Sequence, residues 1–262
     1  MALLEITNLT VLDVREPGWR GYPEDAPRLL DAVTFSIEAG QTVAVVGENA
    51  SGTLPLALAL VGLLPVAGGD IRYDGESLAG LSDRRLRPFR SRMQVLFSDA
   101  FGALPAHQTV ARLLLSARRL AGGGRDRASQ IRDIEQAMEK ARLSLLTRSR
   151  HPAELAPEDR QRVQLARALL FHPRLLICHD YTRGLDASLQ ASLLNRLCDL
   201  RDELGLTLLV MTHDLSVADH LASDIHILSR GRVVESGSPE AIVAAPSHDY
   251  TRRLIAAALP RP

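Results

Sequence analysis

"LAPEDRQRVQLARALLFHPRLLICHDYTRGLDASLQ", residues Leu155 to Gln190, is the stretch from which the fold can be read. Its first part, APEDRQRVQLARALLF, has helical periodicity behind a proline and two acids, the composition of a helix N-terminus. RLLIC then supplies an apolar run long enough only for a buried strand. Helical pattern resumes in SLQASLLNRLCDLRDEL, TLLVMT (207–212) gives a further buried strand, and LSVADHLA (215–222) gives another helix. Strands alternating with helices imply a parallel sheet covered by helices, the α/β class.

Upstream, LLEITNLTVL (3–12) alternates as a half-buried strand does, and LLDAVTFSI (29–37) resumes strand after a loop, 15–28, that carries three prolines. This opening reads as antiparallel sheet. GQTVAVVG (40–47) is a β-branched run ending in glycine, and after a loop LPLALALVGLL (54–64) has helical length and composition. GDIRYDGESL reads as a short strand and turn, RMQVLF as another strand. From Thr109 to about Arg150 the chain turns helical, broken at GGGR and continued by the amphipathic ASQIRDIEQAMEKARLSLL, a candidate inserted helical subdomain. DIHILSRGRVVESG (224–237) reads as a hairpin around Arg230 and Gly231.

Composition narrows the function. With 262 residues, 46% of them hydrophobic, the chain is long enough for a substantial core. Its 31 basic and 31 acidic residues cancel, so bulk attraction to nucleic acid or an anionic membrane is not expected. The two cysteines, Cys178 and Cys198, sit in apolar surroundings without metal-ligand spacing and read as buried thiols in a reduced cytosolic setting. MALLEITNL has no basic region ahead of an apolar stretch and does not read as a signal peptide. The apolar run Leu54 to Ala67 contains two prolines and falls short of a membrane span.

The loop GENASGTLP, Gly47 to Pro55, raises the question of chemistry. A P-loop, G-x-x-x-x-G-K-[ST], cradles phosphates with backbone N–H groups, reaches the outer ones with its lysine and holds Mg²⁺ through the hydroxyl. Gly47 and Gly52 keep that frame, with Glu48, Asn49, Ala50 and Ser51 between them. Thr53 stands where the lysine would, Leu54 where the hydroxyl would, and Pro55 removes an amide donor. By itself this half-motif reads as an ordinary strand-to-helix turn.

The order of the later segments adds what the half-motif lacks. The 155–190 stretch, followed by LLVMTHDLSVA (208–218), closely resembles the part of ABC-transporter ATPase subunits that runs from signature helix to Walker B strand, D-loop and switch histidine. The resemblance covers nearly the whole chain. The tail SHDYTRRLIAAALP and the GEN opening of the loop are similar to the peptide and nickel import branch, and the LAP of the signature to Sap-type peptide transporter subunits. Those are the short-tailed members of their pair, and no Fe–S cluster is implied.

The resemblance implies a single cassette over residues 1–262. Its parts would be a β subdomain with the P-loop part of the core (1–87), a helical subdomain (88–158), the rest of the α/β core (159–228), and a C-terminal hairpin and tail (229–262). It implies ATP and Mg²⁺ as cofactors, and as partners a second cassette subunit and two integral membrane permease subunits, with no nucleic acid. The place would be the cytoplasmic face of the cell's inner membrane, held peripherally.

Carried over residue by residue, the pattern departs at most chemical positions. The adenine-stacking aromatic falls on Asp13, with Trp19 and Tyr22 nearby as ordinary loop aromatics. The Q-loop glutamine falls on Ser98, while Gln94 lies in the strand before it. The Mg²⁺-linked aspartate of Walker B falls on His179, a poor ligand for a hard cation, and the catalytic glutamate on Asp180. The signature L-S-G-G-Q reads Leu155, Ala156, Pro157, Glu158, Asp159. Its two carboxylates suit the dipole of their own helix but oppose an anion, by roughly 3 kcal/mol for like charges ~5 Å apart at an effective dielectric near 20. Gly184, Leu185 and Asp186 match the D-loop and His213 the switch histidine.

The expected function is therefore an ATP-binding-type subunit of a peptide-class transporter, degenerate and non-hydrolysing, serving as structural and allosteric partner of an intact cassette. Two other readings stay open: an active ATPase that energises peptide import, with Asp180 and His213 as its catalytic positions, and a soluble interaction module detached from transport. Whether the chain is itself an enzyme is left undecided by the sequence.

Overall fold

A computed structural model of the chain describes residues 2–13, 26–98, 100–122 and 126–258. Trp19 and Tyr22 lie outside them. In chain order come β1 (Ala2–Leu12), β2 (Arg28–Glu38), β3 (Thr42–Val46), α1 (Thr53–Leu60), β4 (Gly68–Tyr73), β5 (Glu76–Ser77) and α2 (Asp83–Arg92). Then follow β6 (Met93–Phe97), α3 (Ala100–Ala103), α4 (Val110–Leu120), α5 (Arg127–Lys140), α6 (Pro157–Leu169), β7 (Leu175–His179) and α7 (Ala187–Leu204). The chain closes with β8 (Thr207–Thr212), α8 (Leu215–Leu221), β9 (Asp224–Ser229), β10 (Arg232–Gly237), α9 (Pro239–Ala244) and α10 (Asp249–Ala258). These form two compact units, one of residues 1–90 with 207–262 and one of residues 91–206.

In the first unit, β2, β1, β4 and β5 make an antiparallel sheet. Alternation places Leu4 and Ile6 of β1 in the core, and a register shift between Ile6 and Leu9, with Asn8 at φ 50°, brings Leu9 and Val11 back to it. Each such Leu or Val contributes roughly 1.5–3 kcal/mol by burial. β3 pairs in parallel with β8 on one side and β9 on the other. All five residues of β3 and all six of β8 are buried, which is why both read as unbroken apolar runs rather than alternating ones. The Arg90 guanidinium, brought in by α2, donates to Val61 O (2.7 Å) and Gly62 O (3.0 Å), placing a cation at the C-terminal end of α1. Pro88 lies inside α2, so the sequence boundary drawn there falls within a helix.

In the second unit β6 and β7 run parallel, from Met93 opposite Leu175 to Phe97 opposite His179. α6 closes over the end of β6 through Gln164. This side chain is fully buried, accepts from Phe97 N (3.2 Å) and donates to Phe97 O (2.9 Å), so an amide completes the hydrogen bonding of a strand terminus. The buried Tyr181 hydroxyl donates to Gln161 O at 2.8 Å. Of the two thiols, Cys178 is buried and pushed by desolvation up to about 12. Cys198, read from the sequence as a second core thiol, is half-buried on α7 instead.

Candidate functional site

The loop between β3 and α1 is held by its own backbone. Gly47 donates to Thr212 O at 3.0 Å, and Ser51 N closes a turn onto Glu48 O at 3.0 Å. Both glycines are required by close approach. A Cβ on Gly47 would lie 2.4 Å from Leu228 O, and one on Gly52, whose φ is +115°, would lie 2.9 Å from Leu29 O. Glu48, Asn49 and Ala50 form the exposed crest, with Ala50 left-handed at φ 65°.

α1 then starts with the residues that the sequence flagged. Gly52 is its N-cap without any side-chain cap bond, and Thr53, Leu54 and Pro55 are its first three positions. The side chain at the hydroxyl position, Leu54, is 43% exposed, so an apolar group faces water where a polar one would hold a cation. Pro55, the third residue of the helix, has no N–H to offer. His213 follows the end of β8 as an exposed residue, and Asp214 caps α8 by accepting from Ser216 N at 2.9 Å.

The remaining predicted positions belong to the second unit. Ser98, at the Q-loop position, donates its amide to His179 O (3.0 Å), while its carbonyl accepts from Gln161 Nε2 (2.8 Å). His179 is the last residue of β7, its ring 6.2 Å from that of Phe97, and desolvation lowers its pKa and favours the neutral imidazole. Asp180 leaves the strand in a left-handed conformation, φ 46°, and its carboxylate pairs with Arg183 at 3.5 Å. Arg183 was missed from the sequence, although its spacing of three residues from Asp180 was a readable signal.

In the D-loop match, Gly184 has φ 80° and Asp186 is the N-cap of α7, accepting from Ser188 N and Leu189 N at 3.0 Å each. At the signature match, Leu155 is buried, Ala156 is the N-cap of α6 and Pro157 its first residue. Glu158 and Asp159 stand in the first turn. Glu158 is ion-paired with Arg162, which also donates to Arg142 O. Asp159 makes no ion pair among the described residues.

A contact invisible in the sequence ties the tail to the loop: Glu48 N donates to the hydroxyl of Tyr250, on α10, at 3.0 Å. The start of α10 is held by Glu235 of β10. Partial desolvation works against ionisation of that carboxyl, but the amides of Ser247 (2.7 Å) and His248 (3.1 Å) and the Ser247 hydroxyl (2.8 Å) prevail and hold its pKa at about 2. A depressed acid pKa gives stability that is complete above the unfolded value near 4.5 and is lost as pH falls toward about 2. Acid titration is therefore expected to release α10 between these limits, and Glu235→Gln to remove that step; hydrogen exchange at residues 249–258 would read it.

Among the described residues no cluster of His, Cys, Asp or Glu could hold a metal ion, and no helix is long and apolar enough to cross a membrane. A strand, a glycine-framed loop and a helix on a parallel sheet, in one unit with an antiparallel sheet, have the P-loop architecture. The sequence pattern of the ABC transporter family matches residues 30–183, and the chain belongs to that family. It is 35% identical, over 90% of its length and 74% of the relative's, to a Brucella ovis protein provisionally named as a peptide import ATP-binding protein. It is 32% identical, over 97% of its length and 77% of the relative's, to the oligopeptide transport ATP-binding protein OppF of Salmonella typhimurium. The fold matches cbiO1 of Clostridium perfringens, part of the cbiONQ transporter complex, with a TM-score of 0.79 at 20% identity over 93% of this chain and 91% of that one.

Proposed function

We propose that this chain is a cassette subunit of a peptide-class ABC importer that no longer hydrolyses ATP and acts as structural and allosteric partner of an intact cassette. The peptide class is supported by the names of its relatives. The observation that carries the loss of hydrolysis is the first turn of α1, where Thr53 stands in place of the lysine and Leu54 in place of the metal-binding hydroxyl on a loop whose glycine frame is kept. The glycine frame of a phosphate loop is kept, but the residues present do not fit Mg²⁺. The hydroxyl position is apolar, and the Walker B position offers an imidazole, where magnesium takes hard oxygen ligands. Asp180, the one acid left at a catalytic position, is neutralised within its own loop by Arg183. The subunit would work at the cytoplasmic face of the membrane with a second cassette and two permeases, its helical region at 88–158 facing the latter.

The test is turnover by the assembled transporter. Asp180→Asn and His213→Ala in this chain are expected to leave ATP hydrolysis within twofold, whereas the equivalent lesions in the partner cassette abolish it. A tenfold loss from either change here would restore the active-ATPase reading. Failure of the chain to co-purify with the permeases would favour the detached module.

A further inference from the structure

Three arginines from two elements border one cavity beside the 47–52 loop. The space, of about 650 Å³, is walled by the loop crest, the β9–β10 hairpin and α10. The hairpin supplies Arg230 and Arg232, α10 supplies Arg253, and the chain entering α10 supplies His248; Glu48 is the only acid in the lining. Among the described residues neither Arg230 nor Arg253 makes an ion pair. Arg232 gives Nε and Nη2 to Asp31, which Arg28 also holds, and so keeps Nη1 for another acceptor. Three guanidinium groups, one of them shared with Asp31, against the single carboxylate of Glu48 leave the lining positively charged, a charge that suits an anion.

The walls are fixed in place. Gly231 N donates to Ser51 O at 2.7 Å and Asp31 N to Gly231 O at 2.8 Å, locking the hairpin onto the loop. Gly231, at φ 78°, cannot be replaced there, since its Cβ would lie 2.6 Å from Leu29 O. Tyr250 and Glu235 dock α10 from the other side. The Ser51 hydroxyl in the wall is buried with no hydrogen-bond partner. A backbone held in place in this way leaves only the arginine side chains to be ordered on binding.

We propose that this cavity binds a diphosphate-type anion, gripped by Arg230 and Arg253 with Nη1 of Arg232 as a third donor. The guanidinium fork matches phosphate oxygens in pairs, and guanidinium groups on separate elements favour an anion with two phosphoryl groups over a single carboxylate. The gripping cations lie on the hairpin and α10, while the crest of the 47–52 loop only walls the cavity, so the site stands whether or not the chain hydrolyses ATP. Its source is either free diphosphate or the phosphate tail of a nucleotide.

The experiment is titration calorimetry of the purified full chain with inorganic pyrophosphate, in metal-free buffer at low ionic strength. Binding with one site per chain is expected, weakening as salt is added. The double variant Arg230→Gln, Arg253→Gln is expected to bind at least tenfold more weakly; both side chains are exposed, and circular dichroism checks that the fold is retained. Repeating the titration with metal-free ATP assigns the source. Affinity above that for pyrophosphate, lost in the double variant, indicates a nucleotide tail, and equal affinity indicates the free anion. No binding by the parent, or binding that survives the arginine changes, overturns the proposal.

Discussion

Replacing Thr53→Lys, Leu54→Ser, Pro55→Thr and His179→Asp together is expected to tighten Mg·ATP binding at least a hundredfold over the parent, for which nothing tighter than the millimolar range is expected. Millimolar affinity corresponds to about −4 kcal/mol, and each tenfold gain to about 1.4 kcal/mol. A hydrogen bond to a charged group is worth about 1.5–3 kcal/mol, so a lysine and a metal-bound oxygen on the phosphates suffice for the predicted gain. The loop needs no reshaping, because Gly47 and Gly52 already hold its backbone. Leu54 is 43% exposed, so its replacement by serine costs little core. Titration should be made in the Arg230→Gln, Arg253→Gln background, so that heat from the tail cavity does not contribute. The three loop changes without His179→Asp are expected to give a partial gain with weak Mg²⁺ dependence. A folded quadruple variant that still fails to bind would show that the loop is not a phosphate cradle.

The elements that carry this argument differ in how legible they were. β3, the glycine loop and α1 could be read because a buried parallel strand is continuously apolar and the following helix begins at once. The β9–β10 hairpin could be read because Arg230 and Gly231 occupy a turn with positive φ at both residues, 50° and 78°. The strand and helix order of residues 155–218 was legible for the same reason of local periodicity. What escaped depends on contacts between distant residues: Tyr250 reaches Glu48 across 202 positions of sequence, and no local pattern encodes that. Gln164 looked like a polar residue on a helix surface, yet it is buried because the end of β6 needs its amide. Neither Arg162 nor Arg183 was given a partner from the sequence, and they ion-pair with the two acids, Glu158 and Asp180, to which the sequence reading gave chemical weight.

That pairing changes what to expect at the signature position, where the two acids of α6 no longer count equally. If an intact partner presents its ATP to the start of α6, as head-to-tail pairing of cassettes requires, the γ-phosphate meets a helix N-terminus carrying two carboxylates. An unscreened carboxylate ~5 Å from the phosphate costs roughly 3 kcal/mol at an effective dielectric near 20. Glu158 is compensated, since Arg162 pairs with it and both side chains are largely withdrawn from water, 21% and 14% exposed. Asp159 has no such partner among the described residues and keeps its full charge at the helix start. Asp159→Gln alone is therefore expected to raise ATP turnover by the reconstituted complex several-fold. Glu158→Gly alone should give a smaller rise, through the release of Arg162 and closer backbone approach. The double variant should exceed both, while Thr53→Lys alone leaves turnover unchanged. Steady-state phosphate release, normalised to assembled complex, measures all four. If the double variant assembles and its turnover equals that of the parent, these acids do not face a partner's phosphate, and the paired-cassette arrangement fails with them.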